Sequence, residues 1–250
     1  MKFLPALLTL LAALNLRAAA ETPLTVSAAT SLHDVLTEIK TLYAREHAEV
    51  ALTLNIGGSG MLQRQIENGA PADVFISASP KEIFALEKKG LLVRDSIRNV
   101  VRNTLVLIVP QENTTVHAFA DLTKPEVRRI AIGEPRTVSV GTYTTETFAY
   151  LKLTEALAPK LVNLLDVGQV VTHVGTGDAD AGVVYVTDAR RSAKVRIAAT
   201  ADAKMHQAIL YPGAIPKASK QKSAAREFIA FLATPAAREV FEKHGFLPAP

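Results

Sequence analysis

The residues best placed to do chemistry are two serines, Ser31 and Ser59, each standing between an apolar strand-like run and a helix-like run. Ser59 follows Gly57-Gly58, and the stretch reads VALTLNIGGSGMLQRQIENGAPADVFIS from Val50 to Ser77. A strand that ends in glycines and a serine at a helix start is a ready anion site. The first-turn N–H groups lack intrahelical partners, the helix dipole is positive there, and glycine lets the backbone approach a ligand. The same residues could instead present a nucleophile. Gly57-Gly58-Ser59-Gly60-Met61 comes close to the G-x-S-x-G elbow of serine hydrolases, but Met61 stands where the second glycine belongs. Asp188, His206 and His244 lie later in the chain, so the order of a Ser-Asp-His triad stays open.

Three further positions join these serines. Val140, before Gly141, and Val167, after Asp166, fall at helix starts where backbone N–H groups are free, and Tyr185 is the one polar tip in the apolar run AGVVYVT. Hydroxyls and amides are neutral donors, and a donor-only set suits a fully deprotonated oxyanion, which accepts from every side. A nucleotide phosphate loop would need a glycine loop followed by Lys and Ser/Thr, and none is present. The histidines are scattered at spacings that suit no metal cation, and the chain has no cysteine, which removes thiol chemistry and Cys/His zinc sites. No cofactor is expected, and no direct metal-cation ligand.

These residues need a frame that gathers them. Leu32, Val35, Leu36, Ile39, Leu42 and Tyr43 recur at helical spacing after the strand Leu24–Ala28, and Ser31 reads as that helix's N-cap, with Asp34 completing a box-like start. The strand Val50–Ile56 feeds a second helix at Ser59 in the same manner. Two such units side by side in a parallel sheet bring both helix starts to one sheet edge. Ser79-Pro80-Lys81-Glu82 is a capping box satisfied within itself, so Ser79 reads as structural. A long loop-like stretch, Leu92–Asn103, precedes the apolar strand Thr104–Val109, where the chain passes into a second lobe. Strand and helix alternate to the C-terminus, which predicts an α/β fold.

The chain has 250 residues, enough for one large domain or two smaller ones with cores of their own. Residues 1–20 carry Lys2, an apolar run from Phe3 to Leu14 and Ala18-Ala19-Ala20, and read as a secretory signal cleaved near Ala20. Without Lys2 and Arg17, 26 basic residues face 24 acidic ones, and no basic stripe is visible, so nucleic acid is not an expected partner. An exported, disulfide-free protein without an acceptor cysteine for a lipid anchor fits the bacterial periplasm.

The motifs AATSL, GGSGMLQRQIENGAPADVFIS, VGTY, DVGQVV, AGVVYVTDA and AREVFEKHGF together resemble the periplasmic molybdate-binding proteins of ABC importers, with QIENGAPAD (Gln65–Asp73) the most specific run. The resemblance spans nearly the whole mature chain. It implies a two-lobed type II periplasmic binding protein, with parallel or mixed sheets flanked by helices and a hinge between the lobes. The first lobe is expected at residues 21–103 and 213–250, the second at residues 104–212. It further implies that Ser31 and Ser59 offer hydroxyl and backbone donors, Val140 and Val167 backbone N–H groups, and Tyr185 its hydroxyl, to molybdate or tungstate. The family more often has Ala where Val140 stands and a serine-rich run in place of Gly57-Gly58. The implied partner is the membrane permease, and the implied state a monomer. Another oxyanion such as sulfate, or the serine hydrolase, is the alternative.

Overall fold

The computed structural model describes residues 21–249, so the expected signal segment lies outside the described residues. The chain opens with β1 (Thr22–Ala29), α1 (His33–Glu46), β2 (Val50–Gly57), α2 (Ser59–Glu67), β3 (Val74–Ile76) and α3 (Pro80–Lys88). β1 pairs in parallel with both β2 and β3, with Ala29 opposite Gly57 at the ends that lead into the helices. Leu24, Val26 and Ala28 are fully buried on one face of β1, and Ser27 and Ala29 are buried on the other, as in a parallel strand covered on both sides. Helix α1 lays Val35, Leu36, Ile39 and Tyr43 into the same core. α3 has the expected Ser79 as N-cap but not the expected box: Ser79 Oγ accepts from the Lys81 N–H and donates to Glu82, while the Ser79 N–H goes to Ser77 Oγ, and the helix stops at Gly90, whose φ is +70°.

The Leu92–Asn103 stretch is not a loop. It holds a 3-10 turn, Arg94–Ser96, and β4 (Arg98–Arg102). β4 pairs antiparallel with a strand that arrives more than a hundred residues later, so local composition carries little trace of it. β5 (Leu105–Pro110) then starts a second sheet, continued by β6 (Ile130–Gly133), α4 (Ser139–Tyr150), α5 (Thr154–Leu157), β7 (Leu161–Leu164) and α6 (Val167–Gly175). β8 (Ala181–Tyr185), α7 (Val186–Ala189) and β9 (Val195–Thr200) complete that half. The chain returns through β10 (Leu210–Ala214), α8 (Lys222–Phe231), α9 (Pro235–Lys243) and the two-residue β11 (Leu247–Pro248).

The strand orders are β11-β4-β10-β3-β1-β2 in the first sheet and β7-β6-β8-β5-β9 in the second. Both are mixed: β10 runs antiparallel to β3 and β4, and β5 antiparallel to β8 and β9. Helices flank each sheet, giving two α/β lobes. All of β10 belongs to the first sheet, so a lobe boundary between residues 212 and 213 would fall inside a strand. Two segments cross between lobes, one at Asn103-Thr104 and one between Thr200 and Leu210. α4 presses close onto β6 because Gly141 has no side chain, where a Cβ would collide with the Gly133 carbonyl.

Candidate functional site

Three helical starts meet between the lobes without a side-chain cap: the 3-10 turn Thr30–Leu32, α2 and α4. Ser31 is therefore not the N-cap expected of it. Leu32 holds that position for α1 and Ala29 for the 3-10 turn before it, Ser31 sits inside that turn, and Asp34 pairs with His33 and with Arg191 of the second lobe instead. Ser59 likewise is the first residue of α2, with Gly58 as its N-cap. α6 is the exception among the cleft helices, since Asp166 caps it by accepting from the Gln169 N–H at 3.0 Å.

These starts enclose a cavity of about 20 Å³, lined by Ser31, Ser59, Val140, Val167 and Tyr185 together with Thr30, Gly58, Ala78, Val138 and Ser139 among others. All five residues expected at the site thus meet there, two from the first lobe and three from the second. No charged side chain lines the cavity.

Hydrogen-bond direction decides what the hydroxyls have left to give. Ser59 Oγ accepts from the Ala78 N–H at 3.0 Å, which leaves its own proton unengaged. Ser31 Oγ lies 2.9 Å from the Tyr211 hydroxyl. Asn103 sets that pair: its Oδ1 accepts from the Thr104 N–H, so its Nδ2 must donate, and it does so to Thr187 Oγ1 and to the Tyr211 hydroxyl at 3.1 Å. The Tyr211 oxygen is then an acceptor, and Ser31 Oγ is the one bonded atom able to take the Tyr211 proton; in that arrangement the Ser31 proton is left for the cavity. Tyr185 makes only a long 3.4 Å bond to the Ala78 carbonyl, against about 2.7–2.8 Å for a good O–H···O bond. Burial, reinforced by Tyr211, Tyr143 and Asp188, pushes the Tyr185 hydroxyl well above the ordinary tyrosine range, so it keeps its proton and remains a donor.

Tyr211 and Asn103 are site residues that the sequence reading missed. Tyr211 carried the same signal as Tyr185, a lone polar tip on an apolar strand. Ser139 was missed too, in the turn ahead of Val140. The hydrolase partners do not assemble. Ser59 is bonded to Ala78, His206 Nδ1 to the Gln207 carbonyl and His244 to Glu38. Among the described residues no group of three His, Cys, Asp or Glu side chains could hold a metal ion.

Behind Tyr185 lies Asp188 on α7, 1% exposed, with neither carboxylate oxygen in a well-formed hydrogen bond. Burial pushes it up to about 7 against the pull of Arg191, with Asp34 and Asp166 adding to the rise. Its neighbour Arg191 reaches across the cleft to Asp34 at 2.6 Å. The lobes also touch at Gly60, whose N–H donates to the Thr137 carbonyl at 3.1 Å.

Two mixed-sheet lobes, joined by two crossing segments and closed over a cavity of polar donors, define a binding protein of the two-lobed kind. The chain belongs to the family of bacterial extracellular solute-binding proteins, whose model matches residues 24–247. It is 41% identical over 224 residues to YvgL of Bacillus subtilis (strain 168), named as an ABC transporter substrate-binding lipoprotein, covering 89% of this chain and 85% of that one. It is 32% identical over 243 residues to the molybdate-binding protein ModA of Haemophilus influenzae, covering 95% and 94%. Among solved structures it resembles the periplasmic molybdate-binding protein of Azotobacter vinelandii, with a TM-score of 0.82 at 25% identity over 91% of this chain and all of that one. A sulfate-binding protein, SubI of Mycobacterium tuberculosis, superposes at 0.78 over 92% of this chain and 88% of that one, but at 17% identity it shows the fold alone. No helix among the described residues is long and apolar enough to cross a membrane.

Proposed function

We propose that this protein captures molybdate or tungstate outside the cytoplasmic membrane and delivers it, chemically unaltered, to the permease of an ABC importer. The observation that carries this reading is the donor-only cavity: hydroxyls of Ser31, Ser59 and Tyr185 with protons free or poorly engaged, and helix starts at Val140 and Val167, all without a charged side chain. Such a wall suits a dianion that accepts on every oxygen. A protonated phosphate would bring a donor that needs an acceptor such as a carboxylate, and no carboxylate lines the cavity. Relatives named for molybdate binding support the choice of ion.

Sulfate has the same charge and shape as molybdate but is smaller, so size separates them. A smaller ion cannot reach donors on both lobes at once, and each buried donor left unpaired costs roughly 1–3 kcal/mol. Calorimetry of ligand-free protein with molybdate, tungstate, sulfate and phosphate tests the assignment. Tight binding of the first two with much weaker sulfate and phosphate is expected, and sulfate binding tighter than molybdate rejects it. Ligand at ~1,000 times its dissociation constant adds about 4 kcal/mol of stability. That is a rise of about 10 °C in unfolding midpoint for a chain of this size.

A further inference from the structure

We infer that Ser139 supplies an additional hydroxyl to the bound oxyanion, beyond the five positions that the family resemblance implies. Ser139 is the first residue of α4, 3% exposed, and it lines the same cavity as Ser31, Ser59 and Tyr185. Its Oγ is buried and has no hydrogen-bond partner in the protein. That sets it apart from its neighbours. Ser59 Oγ accepts from Ala78, Ser31 Oγ is bonded to Tyr211, and the two buried threonines of α4 spend their hydroxyls on its own backbone, Thr144 on Val140 and Thr147 on Tyr143.

A buried hydroxyl without a partner is a net cost to the free protein, so such groups are rare unless something else satisfies them. Ser139 is one of the residues that line the cavity, so an oxyanion held there is the partner we assign to this hydroxyl. The backbone supports the same role. α4 starts without a side-chain cap, so Ser139 does not spend its oxygen on its own helix as Ser79 and Asp166 do. Ser139 therefore adds a side-chain donor from the second lobe beside that of Tyr185, balancing Ser31 and Ser59 on the first.

The inference rests on the oxyanion-binding reading, and the experiment separates the two. Wild-type protein and the Ser139→Ala variant are titrated with sodium molybdate by calorimetry, and each is unfolded thermally with and without molybdate. Loss of one hydrogen bond to a charged group weakens binding by about tenfold to a hundredfold. The free variant should unfold at the wild-type temperature or above it, because an unmet buried hydroxyl has been removed. A purely structural serine gives the reverse, a lower midpoint without ligand and an unchanged dissociation constant, and that result overturns the inference. Ser139→Gly, which removes the same hydroxyl and the Cβ, must weaken molybdate binding as well, and full affinity in either folded variant is also fatal. If wild-type protein binds no molybdate, the functional reading and this inference fall together; if wild type binds and the variants bind equally well, the inference falls alone.

Discussion

Replacing Gly60 by alanine should weaken anion binding without touching the anion. Gly60 lies in the first turn of α2, and across the cleft its N–H meets the Thr137 carbonyl at 3.1 Å. A Cβ built on Gly60 would stand 2.9 Å from that oxygen, 3.0 Å from the Thr137 Cα and 3.3 Å from its carbonyl carbon. All three are backbone atoms, so no side chain can swing away, and the second lobe must retreat by about half an ångström to restore ordinary contact. Overpacking of this kind costs about 1–3 kcal/mol, and the stretched hydrogen bond forfeits part of its own ~1 kcal/mol. A total near 2 kcal/mol corresponds to about a thirtyfold rise in the dissociation constant. The clash needs the lobes closed, so a free protein with parted lobes would be spared, and alanine is the better helix former by up to about 1 kcal/mol. Gly58 provides the internal comparison: its Cβ would lie 3.4 Å from the Thr137 oxygen and 3.5 Å from the Leu165 oxygen, so Gly58→Ala should lose only a few-fold. Calorimetry with molybdate and thermal unfolding without it read the two effects separately. Wild-type affinity in Gly60→Ala, or a free variant destabilised by more than about 1 kcal/mol, would refute the claim that this glycine governs closure.

Other consequences follow from the same contacts. Tyr211→Phe removes the donor that turns the Ser31 proton toward the cavity, so molybdate affinity should fall by about 1–2 kcal/mol although residue 211 does not line it; equal titrations of variant and wild type would contradict the assigned proton directions. Ser79→Ala should do the opposite, costing about 2 kcal/mol of stability through the lost α3 cap and the lost partner of buried Glu82, while leaving the anion affinity unchanged. Asp188, raised to about 7 from 3.8, holds its proton more tightly folded than unfolded, so its contribution to stability is greatest below about pH 4 and is lost as pH climbs to about 7. Against Asp188→Asn, the wild type should therefore lose a few kcal/mol of relative stability between pH 5 and pH 8 in urea titrations, and a pH-independent difference would argue against a neutral buried carboxyl.

The parts of this fold that were legible in the sequence are those with short-range causes. The β2–α2 unit announces itself through alternation, two glycines and a serine, and α3 through a serine and a glutamate three residues apart. Ser31, Ser59, Val140, Val167 and Tyr185 were legible as a set, first by position at helix starts and strand ends and then through the family's motifs. What failed depended on distant partners. Ser31 looked like a cap because a serine before an amphipathic run usually is one; its hydroxyl answers instead to Tyr211, which lies 180 residues away. β4 is held by β10 and β11, both from the far end of the chain, and its own residues Arg98-Asn99-Val100-Val101-Arg102 show no clean alternation. Asn103 read as the end of a loop, yet its side-chain amide reaches Thr187 on α7 and Tyr211 on β10, and its backbone N–H donates to the Ile209 carbonyl in the other crossing segment. Ser139 gave no signal, since a serine without a local partner can be recognised only once the empty space beside it is seen.

That the cavity wall is neutral and divided between the lobes bears on unloading. Parting the lobes withdraws Tyr185 and the α4 and α6 amides from one side while Ser31 and Ser59 stay on the other, so a cargo ion would lose about half its contacts in a single swing. Water can refill those vacancies at once, and no lysine or arginine at the wall holds the ion back by its charge. On the proposed reading, discharge would need the two halves pulled apart and no change in the ion or in a charged side chain beside it.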